Sequence, residues 1–308
     1  MKRMMFLLIA GVMFFAFVAC DSTGGDFMSR QNLSEPPTAQ EPQTFDESQP
    51  NGSEGNESEM DVFPKNEIVE AMIEEYENPP YEKPFWASAK PNGIKLYYGD
   101  TIVRPPLELS AEEGRSLWFA AYVSKAVTGI AYCVEEGVNP VLILTSGDMG
   151  QTWQTDKLYV QNIEKYRYDY PYLAYTDQDN GVLLLSDADN ECLLYQSQGA
   201  GANWNLVSTF SVPEGSYGLS VTDDAIFIPG RANGYPAILR SENGTDWNSI
   251  PLAVDTTAYV SGHCSDVEFR DNVGLAQVAV YDVSGGGFSL YFASDDGGKK
   301  WMIYETER

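Results

Sequence analysis

The chain has 308 residues and is strongly acidic, with 45 Asp and Glu against 19 Lys and Arg and a formal net charge of −26. Hydrophobic residues make up 43% of it, enough for the core of one large or two small domains. Proteins bind nucleic acid through a cationic surface that displaces counterions, so this composition excludes that function class. The same charge disfavours a surface that lies flat on an anionic membrane.

Residues 1–20 are predicted to be an export signal. Lys2 and Arg3 precede an uncharged apolar run that is too short to span a bilayer comfortably. The run ends in Phe17-Val18-Ala19-Cys20, which resembles a bacterial lipobox, although Phe17 stands where Leu is usual. The resemblance implies that Cys20 is lipidated, becomes the mature N-terminus and anchors the protein to the membrane outside the cytoplasm. An ordinary cleaved signal that happens to end in cysteine is the alternative.

Residues 21–63 are predicted to be a disordered acidic tether, and residues 64–80 a short helix. The tether is rich in Ser, Gly, Pro, Gln and Glu and cannot bury enough apolar surface to offset its ordering entropy. In the helix, Asn66 is the candidate N-cap and apolar residues recur at helical spacing from Val69 to Tyr76. We expect this apolar stripe to dock on the domain that follows, with recognition of a partner as the alternative.

Residues 81–308 are predicted to form an all-β domain built from repeats. Short β-rich runs alternate with turns of Gly, Asn and Asp, and no further helical period occurs. Four segments recur at intervals of roughly 50 residues, each after an apolar run of strand character. They are Ser146–Trp153, Ser197–Trp204, Ser241–Trp247 and Ser294–Trp301.

The four segments resemble the Asp-box, or bacterial neuraminidase repeat, of sialidase-like proteins, whose pattern is Ser-x-Asp-x-Gly-x-Thr-Trp. The second copy has Gly199 in place of Asp, the third is one residue short, and the fourth lacks Thr. The matching residues are Ser146, Asp148, Gly150, Thr152 and Trp153, then Ser197, Gly201 and Trp204, then Ser241 and Trp247, then Ser294, Asp296, Gly298 and Trp301. The resemblance implies a small β-propeller of about four or five blades, with each box between the third and fourth strands of a blade.

These residue types suit a tight hairpin. Ser and Asp side chains accept hydrogen bonds from turn amides, and glycine supplies a positive φ. Each Trp offers a large apolar ring to pack beneath the turn, so we interpret the box residues as structural. A row of Trp rings that stacks on sugars is the alternative. Residues 85–109 are predicted to add two strands, as a partial fifth blade or a latch on the ring.

A catalytic sialidase, as the resemblance implies, needs three arginines that bind the substrate carboxylate, an Asp that acts as the acid and a Tyr–Glu pair that acts as the nucleophile. In that family the first arginine stands in an Arg-Ile-Pro motif ahead of the first box. Arg104 lies in that place, but no Ile follows it. The acid Asp should lie between this arginine and the first box, yet no Asp occurs between Thr101 and Gly147. We therefore expect no catalytic residues and predict a non-catalytic cell-surface module that binds a protein or a glycan. A divergent exo-glycosidase of the sialidase class, and a scaffold or assembly factor for an envelope complex, are the alternatives.

The candidate ligand-binding residues are an arginine and a series of alternating tyrosines, namely Arg104, Tyr166, Tyr168, Tyr170 and Tyr172. Alternate rings of an extended segment point to the same side, where they could stack on a glycan or peptide. An edge strand with half-buried tyrosines is the alternative.

No metal or cofactor is predicted, although the acidic turns Asp177–Gly181 and Asp187–Asn190 leave calcium as a weaker possibility. The single histidine, His263, is interpreted as a turn residue because too few other His or Cys residues could complete a metal site. The three cysteines of the predicted domain sit beside apolar residues and are interpreted as buried strand thiols, with one disulfide plus a free thiol as the alternative. They are Cys133, Cys192 and Cys264.

Overall fold

The computed structural model describes residues 61–78, 85–90, 93–107, 118–133, 139–167, 171–199, 203–212, 218–254 and 259–305. Within these ranges it contains one α-helix, one 3-10 helix and nineteen strands in five antiparallel sheets, which confirms the predicted all-β class. Residues 1–60, with the export signal, Cys20 and most of the predicted tether, lie outside the description. In the described part of the chain, no helix has the length and apolar character needed to cross a membrane.

The sheets follow one another along the chain, and we number them as blades 1 to 5. The helix α1 spans Glu67–Glu77 and the 3-10 helix Ile163–Arg167. Blade 1 has three strands, β1 (Phe85–Lys90), β2 (Gly93–Tyr98) and β3 (Thr101–Val103). Blades 2 to 5 have four strands each. Blade 2 consists of β4 (Trp118–Val123), β5 (Thr128–Cys133), β6 (Val141–Ser146) and β7 (Gln154–Leu158), and blade 3 of β8 (Tyr172–Tyr175), β9 (Gly181–Ser186), β10 (Glu191–Gln196) and β11 (Asn205–Ser211). Blade 4 consists of β12 (Ser220–Val221), β13 (Ile226–Ala232), β14 (Tyr235–Ser241) and β15 (Asn248–Pro251), and blade 5 of β16 (Ser261–Arg270), β17 (Val273–Tyr281), β18 (Gly287–Ser294) and β19 (Met302–Tyr304).

The blades pack face to face because both faces of their central strands are apolar. Every residue of β9, with the sequence GVLLLS, is buried. Leu183 and Leu185 pack against blade 2, whereas Val182 and Leu184 pack against blade 4. Separate apolar clusters join blade 1 to blade 2 and blade 4 to blade 5 in the same way. Successive antiparallel sheets stacked through both faces, with their first strands in contact side by side, form a β-propeller arrangement.

Among the described residues, blade 1 has no counterpart of the innermost strand of the other blades. A Cβ atom placed on Gly150, in the repeat turn of blade 2, would come within 2.8 Å of Val103 on β3. Likewise, a Cβ atom placed on Gly244, in the repeat turn of blade 4, would come within 3.1 Å of Val207 on β11, the fourth strand of blade 3. A repeat turn therefore contacts the fourth strand of the preceding blade, which makes β3 the fourth strand of blade 1. It follows that β2 is its third strand and β1 its second. The described residues of this segment contribute three strands, not the two predicted, and they pack on blade 2 as an incomplete blade.

The helix α1 covers the free face of blade 5, at the far end of the chain. Its N-cap is Asn66, whose Oδ1 accepts hydrogen bonds from the amides of Ile68 (2.9 Å) and Val69 (3.3 Å). Val69, Met72 and Ile73 are at most 5% exposed and pack against blade 5 together with Phe63. The stripe therefore docks on the β domain, but on the last blade and not on the first.

Polar contacts hold the same N-terminal segment at both edges of blade 5. The guanidinium of Arg270 donates to both carboxylate oxygens of Glu75, at 2.6 and 3.0 Å. At the outer edge, the amide of Phe63 donates to the carbonyl of Ile303 at 2.8 Å, beside the C-terminal strand β19. Residues 61–63, which the sequence analysis assigns to the tether, are therefore part of the folded domain, because Phe63 is 3% exposed and paired to that strand.

Candidate functional site

The first repeat turn, in blade 2, is built around the carboxylate of Asp148. Its Oδ1 accepts hydrogen bonds from Ser146 Oγ (2.8 Å) and from the amides of Gln151 (3.0 Å) and Thr152 (2.8 Å). The Thr152 hydroxyl donates to Oδ2 at 2.6 Å. Of the hydrogen bonds that lower the pKa of Asp148 to about 2, this one has the largest effect. Trp153 Nε1 donates to the carbonyl of Gly150 at 3.0 Å, which fixes the ring beneath the turn.

The fourth repeat turn, in blade 5, has the same hydrogen bonds except that of the Thr hydroxyl, because Lys300 stands in the place of Thr152. Ser294 Oγ donates to Asp296 Oδ1 at 2.9 Å, and that oxygen also accepts from the amides of the two residues after Gly298. Trp301 Nε1 donates to the Gly298 carbonyl at 3.1 Å. Both glycines of these complete turns have positive φ, 78° at Gly150 and 75° at Gly298, as their place in the pattern requires.

The third repeat turn, in blade 4, has the same side-chain hydrogen bonds to turn amides, although it is one residue shorter. Asn243 takes the place of the Asp, and its Oδ1 accepts from Ser241 Oγ (3.2 Å) and from the amides of Thr245 (2.9 Å) and Asp246 (2.8 Å). Trp247 stacks on a neighbouring phenylalanine, but its buried Nε1 has no hydrogen-bond partner among the described residues. Asn243 stands two residues after Ser241, as Asp148 does after Ser146, but the sequence analysis did not single it out because the pattern has Asp there.

The second repeat turn, in blade 3, departs furthest from the pattern. Ser197 Oγ accepts from the amide of Gly181 at 2.7 Å and donates to the carbonyl of Asp179 at 3.2 Å, so it binds the neighbouring turn of its own blade. Gly201 lies outside the described residues. Trp204 is 8% exposed and meets the ring of Tyr175 edge to face, which makes it a core residue. None of the four repeat tryptophans is among the exposed large hydrophobic side chains, so the stacking-row alternative has no support in their placement.

The tyrosines chosen as ligand-binding candidates do not form one exposed row. Tyr166 is 3% exposed, packs between blades 2 and 3, and donates from its hydroxyl to Glu191 at 2.9 Å. Tyr172 is half-buried on the opposite face of blade 3, toward blade 4. The expectation of a shared side is wrong for this pair, because a 3-10 helix carries Tyr166 and breaks the two-residue alternation of a strand. Tyr168 and Tyr170 lie outside the described residues.

The arginines for which contacts are described are held at separate places. Arg231 Nε donates to the carbonyl of Gly262 at 2.7 Å, between blades 4 and 5. Arg240 forms an ion pair with Glu242 at 2.9 Å, and Arg270 is bound to α1. Arg104 is exposed after β3. Because these arginines lie in different places, they do not form the three-arginine carboxylate site that the sialidase resemblance implies.

His263 and the cysteines belong to strands. His263 lies on β16 and not in a turn, since the chain stays extended from Ser261 to Arg270. Burial, and then the charge of Arg231, lower the pKa of this histidine. The interpretation of the cysteines as buried thiols is confirmed, because Cys133, Cys192 and Cys264 are all buried and form no disulfide with one another.

The acidic turns considered for calcium use their carboxylates to bind their own backbone. Asp177 Oδ1 accepts from the amides of Asp179 (2.7 Å) and Asn180 (3.0 Å). Asp187 Oδ1 accepts from the amides of Asp189 (2.9 Å) and Glu191 (2.8 Å) in the next turn. Over the ranges that the structure describes, no group of three or more His, Cys, Asp or Glu residues is placed to hold a metal ion.

A cleft of about 430 Å³ lies between blades 3 and 4. Its walls are the turn between β8 and β9, the end of β10, the turn between β12 and β13, and Glu242 from the repeat turn of blade 4. Turns between first and second strands, and between third and fourth strands, lie at the same end of an antiparallel sheet. The cleft therefore opens on the face of the propeller that carries the repeat turns.

One of the turns that line the cleft is shorter than its counterpart in the preceding blade. In blade 3 the turn closes from the amide of Thr176 to the carbonyl of Asn180, and its Gln178 side chain lies directly against Gly147 in the repeat turn of blade 2. In blade 4 the turn closes from Thr222 to Ala225, one residue fewer. The space beside the second repeat turn, where Gly199 replaces the Asp, is left open. These two departures, the short turn and the missing Asp, are the signals by which the sequence could have revealed the cleft.

The cleft wall is rich in groups that bind hydroxyls. Its polar lining residues are Thr176, Ser197, Thr222, Asn180, Gln196, Gln198, Asp177, Asp223, Asp224 and Glu242. Ser197, Thr222 and the Asn180–Asp177 pair are already hydrogen-bonded within their own blades, whereas Gln198, Asp223 and Asp224 are exposed. The volume falls in the range of about 300–1,000 Å³ of small-molecule sites, which are usually lined mainly by apolar groups. Amides both donate and accept, and carboxylates accept, so the wall matches a ligand whose surface consists mostly of hydroxyl groups.

Comparison with known proteins assigns this chain to no family. No protein-family model and no curated protein matches the chain. A six-bladed β-propeller lectin from Aleuria aurantia aligns with a TM-score of 0.41 and 9% identity, over 71% of this chain and 76% of that one. The SapL1 lectin in complex with α-methyl fucoside gives 0.43 and 13%, over 71% and 75%. YCF48 bound to a D1 peptide gives 0.37 and 12%, over 73% and 85%. Values this low carry no statement about ligand or activity.

Proposed function

We propose that this protein is a lipid-anchored, extracytoplasmic binding protein whose propeller holds a glycan in the cleft between blades 3 and 4. The observation that carries the proposal is the cleft wall, which presents hydroxyl, amide and carboxylate side chains in a volume suited to one or a few sugar rings. The lipobox-like Cys20 and the acidic tether of the sequence supply the anchor and the reach from the membrane.

Binding without chemistry is the form that the described residues favour. The resemblance to sialidases requires arginines that converge on the substrate, but Arg231 and Arg270 are committed to partners in different parts of the propeller. The repeat turns use their Ser, Asp and Trp side chains to hold the hairpins. The propeller therefore serves as a rigid frame that sets two turns at a fixed distance, as binding sites on loops generally require.

The test uses a matched pair of variants in the soluble fragment 61–308. Gln198→Trp places a large ring in the cleft, and Gln151→Trp places the same ring on the repeat turn of blade 2, outside the cleft; both glutamines are exposed. On an array of neutral, amine-bearing and acidic glycans, we expect the parent fragment to bind at least one class. Gln198→Trp should weaken that binding by about tenfold or more, and Gln151→Trp should leave it unchanged.

Two results would contradict the proposal. One is the absence of glycan binding by a correctly folded fragment, which would favour a protein partner or an envelope scaffold in its place. The other is glycan binding that Gln198→Trp leaves intact, which would move the site away from the cleft. Anchoring has its own test in the full chain. Cys20→Ser should shift the protein from the membrane fraction to the soluble fraction, and retention on the membrane would refute the lipobox assignment.

A further inference from the structure

We infer that the cleft sorts glycans by charge, accepting uncharged and amine-bearing sugars and rejecting sugars that carry a carboxylate. This inference rests on the proposed glycan-binding function and adds the class of ligand. It is the reverse of what the sialidase resemblance implies, since sialic acid is itself a carboxylate. The evidence lies in which charges line the cleft and in which of them are neutralised.

The described residues that line the cleft include four carboxylates and no Lys, Arg or His. Asp223 and Asp224 stand exposed on the short turn between β12 and β13. No hydrogen bond or ion pair within the described residues engages either of them. Their charge is therefore available to a ligand. A carboxylate is an acceptor only, so it binds sugar hydroxyls and ammonium groups but repels another carboxylate.

Of the remaining two carboxylates, Asp177 adds to this charge, whereas Glu242 is compensated by its ion pair with Arg240. Asp177 accepts the side-chain amide of Asn180 at 2.8 Å, and this hydrogen bond lowers the pKa of Asp177, so that it stays ionised at neutral pH. Glu242 is paired with Arg240, but the Glu242 side chain is 64% exposed and that of Arg240 only 10%. Arg240 lies over the Phe227 ring, at 5.8 Å, and donates to Gly297 of blade 5, which keeps its guanidinium out of the cleft wall.

The expected size of the effect follows from Coulomb's law. Two unit charges at about 4 Å in water interact strongly enough to change an affinity roughly fivefold. A ligand carboxylate that faces both free aspartates should therefore bind about 20-fold more weakly than its neutral counterpart at low salt. Because these groups are exposed, about 1 M salt should reduce the difference severalfold, since the screening length then falls to about 3 Å.

The experiment compares matched sugars on the fragment 61–308. Lactose and 3′-sialyllactose form one pair, and triacetylchitotriose and its deacetylated amine form another, alongside the neutral glycans of the array and their uronic-acid counterparts. We expect each bound neutral glycan to lose about tenfold or more in affinity when it carries a carboxylate, and to lose nothing when it carries an amine. Asp223→Asn/Asp224→Asn should bring the acidic and neutral forms to within about threefold. Asp295→Asn, an exposed acid on the repeat turn of blade 5, is the control and should change neither.

The outcomes separate this inference from the function on which it rests. No binding of any glycan defeats the proposed function. Binding in the cleft in which acidic sugars equal or exceed their neutral counterparts leaves the function standing and overturns the inference. A preference for neutral sugars that survives Asp223→Asn/Asp224→Asn also overturns it, because the discrimination would then come from shape and not from charge.

Discussion

The tryptophans of the repeat turns differ in one hydrogen bond, and this difference should be measurable. Trp153 donates from Nε1 to the carbonyl of Gly150 at 3.0 Å. Trp247 buries the same atom without a partner in the described structure. The carbonyl of Gly244, three residues before it, accepts instead from the Ser208 hydroxyl at 2.6 Å. Both rings are half-buried, so replacement by Phe removes a comparable amount of apolar contact from each. Trp→Phe at the two positions therefore isolates the indole N–H.

At Trp153, the change to Phe removes a hydrogen bond with a net value of about 1 kcal/mol. At Trp247 it removes an unsatisfied buried donor, whose burial costs about 1–3 kcal/mol. We therefore expect Trp153→Phe to lower the free energy of unfolding by at least about 1 kcal/mol more than Trp247→Phe does. For a domain of this size, that difference corresponds to roughly 2–4 °C in Tm.

The assay is urea unfolding of the fragment 61–308 and its variants, compared at equal slopes so that the differences report stability. Trp301→Phe serves as a second hydrogen-bonded case, since Trp301 donates to Gly298 at 3.1 Å. It should cost at least as much as Trp153→Phe, because its ring is more deeply buried. If Trp247→Phe destabilises the fragment as much as Trp153→Phe does, the hydrogen-bond explanation is wrong and ring packing alone decides the cost.

Three further predictions follow from the described contacts. The fragment 79–308 should melt at least roughly 15 °C below the fragment 61–308, because it loses α1 and exposes the apolar face of blade 5; equal melting temperatures by circular dichroism would refute a structural role for α1. Asp148→Asn should destabilise the protein at neutral pH but not at pH 2. The low pKa of Asp148 gives stability above pH 4 that is lost as the pH falls toward 2, so urea midpoints of variant and parent should converge. Burial raises the pKa of Cys133 to about 12. The three buried thiols should not react with a disulfide reagent at pH 8 until guanidinium unfolds the chain, and rapid labelling of the native protein would contradict their burial.

Features that depend on a few neighbouring residues were predictable from the sequence. The N-cap Asn66 acts on amides two and three residues away, and Asp148 acts on amides three and four residues away. Such contacts form wherever the local pattern occurs, so the helix and the hairpins of the first and fourth repeats appear where the sequence places them. The apolar runs before each repeat likewise lie in strands, β6, β10, β14 and β18, and most residues of each run are buried.

Features that depend on distant residues needed the tertiary structure. The contact of Arg270 with Glu75 joins residues 195 positions apart, and nothing near either residue indicates the other. Tyr166 is buried because of the sheets around its 3-10 helix, although its own segment reads as an exposed row of rings. The cleft is harder still to predict, because it depends on comparing two blades. Gln178 of blade 3 lies against the repeat turn of blade 2, and, among the described residues, the shorter turn of blade 4 has no such side chain beside the repeat turn of blade 3. Composition and turn chemistry thus determined the repeats, whereas the packing of one blade against another decided the site and the charges that face it.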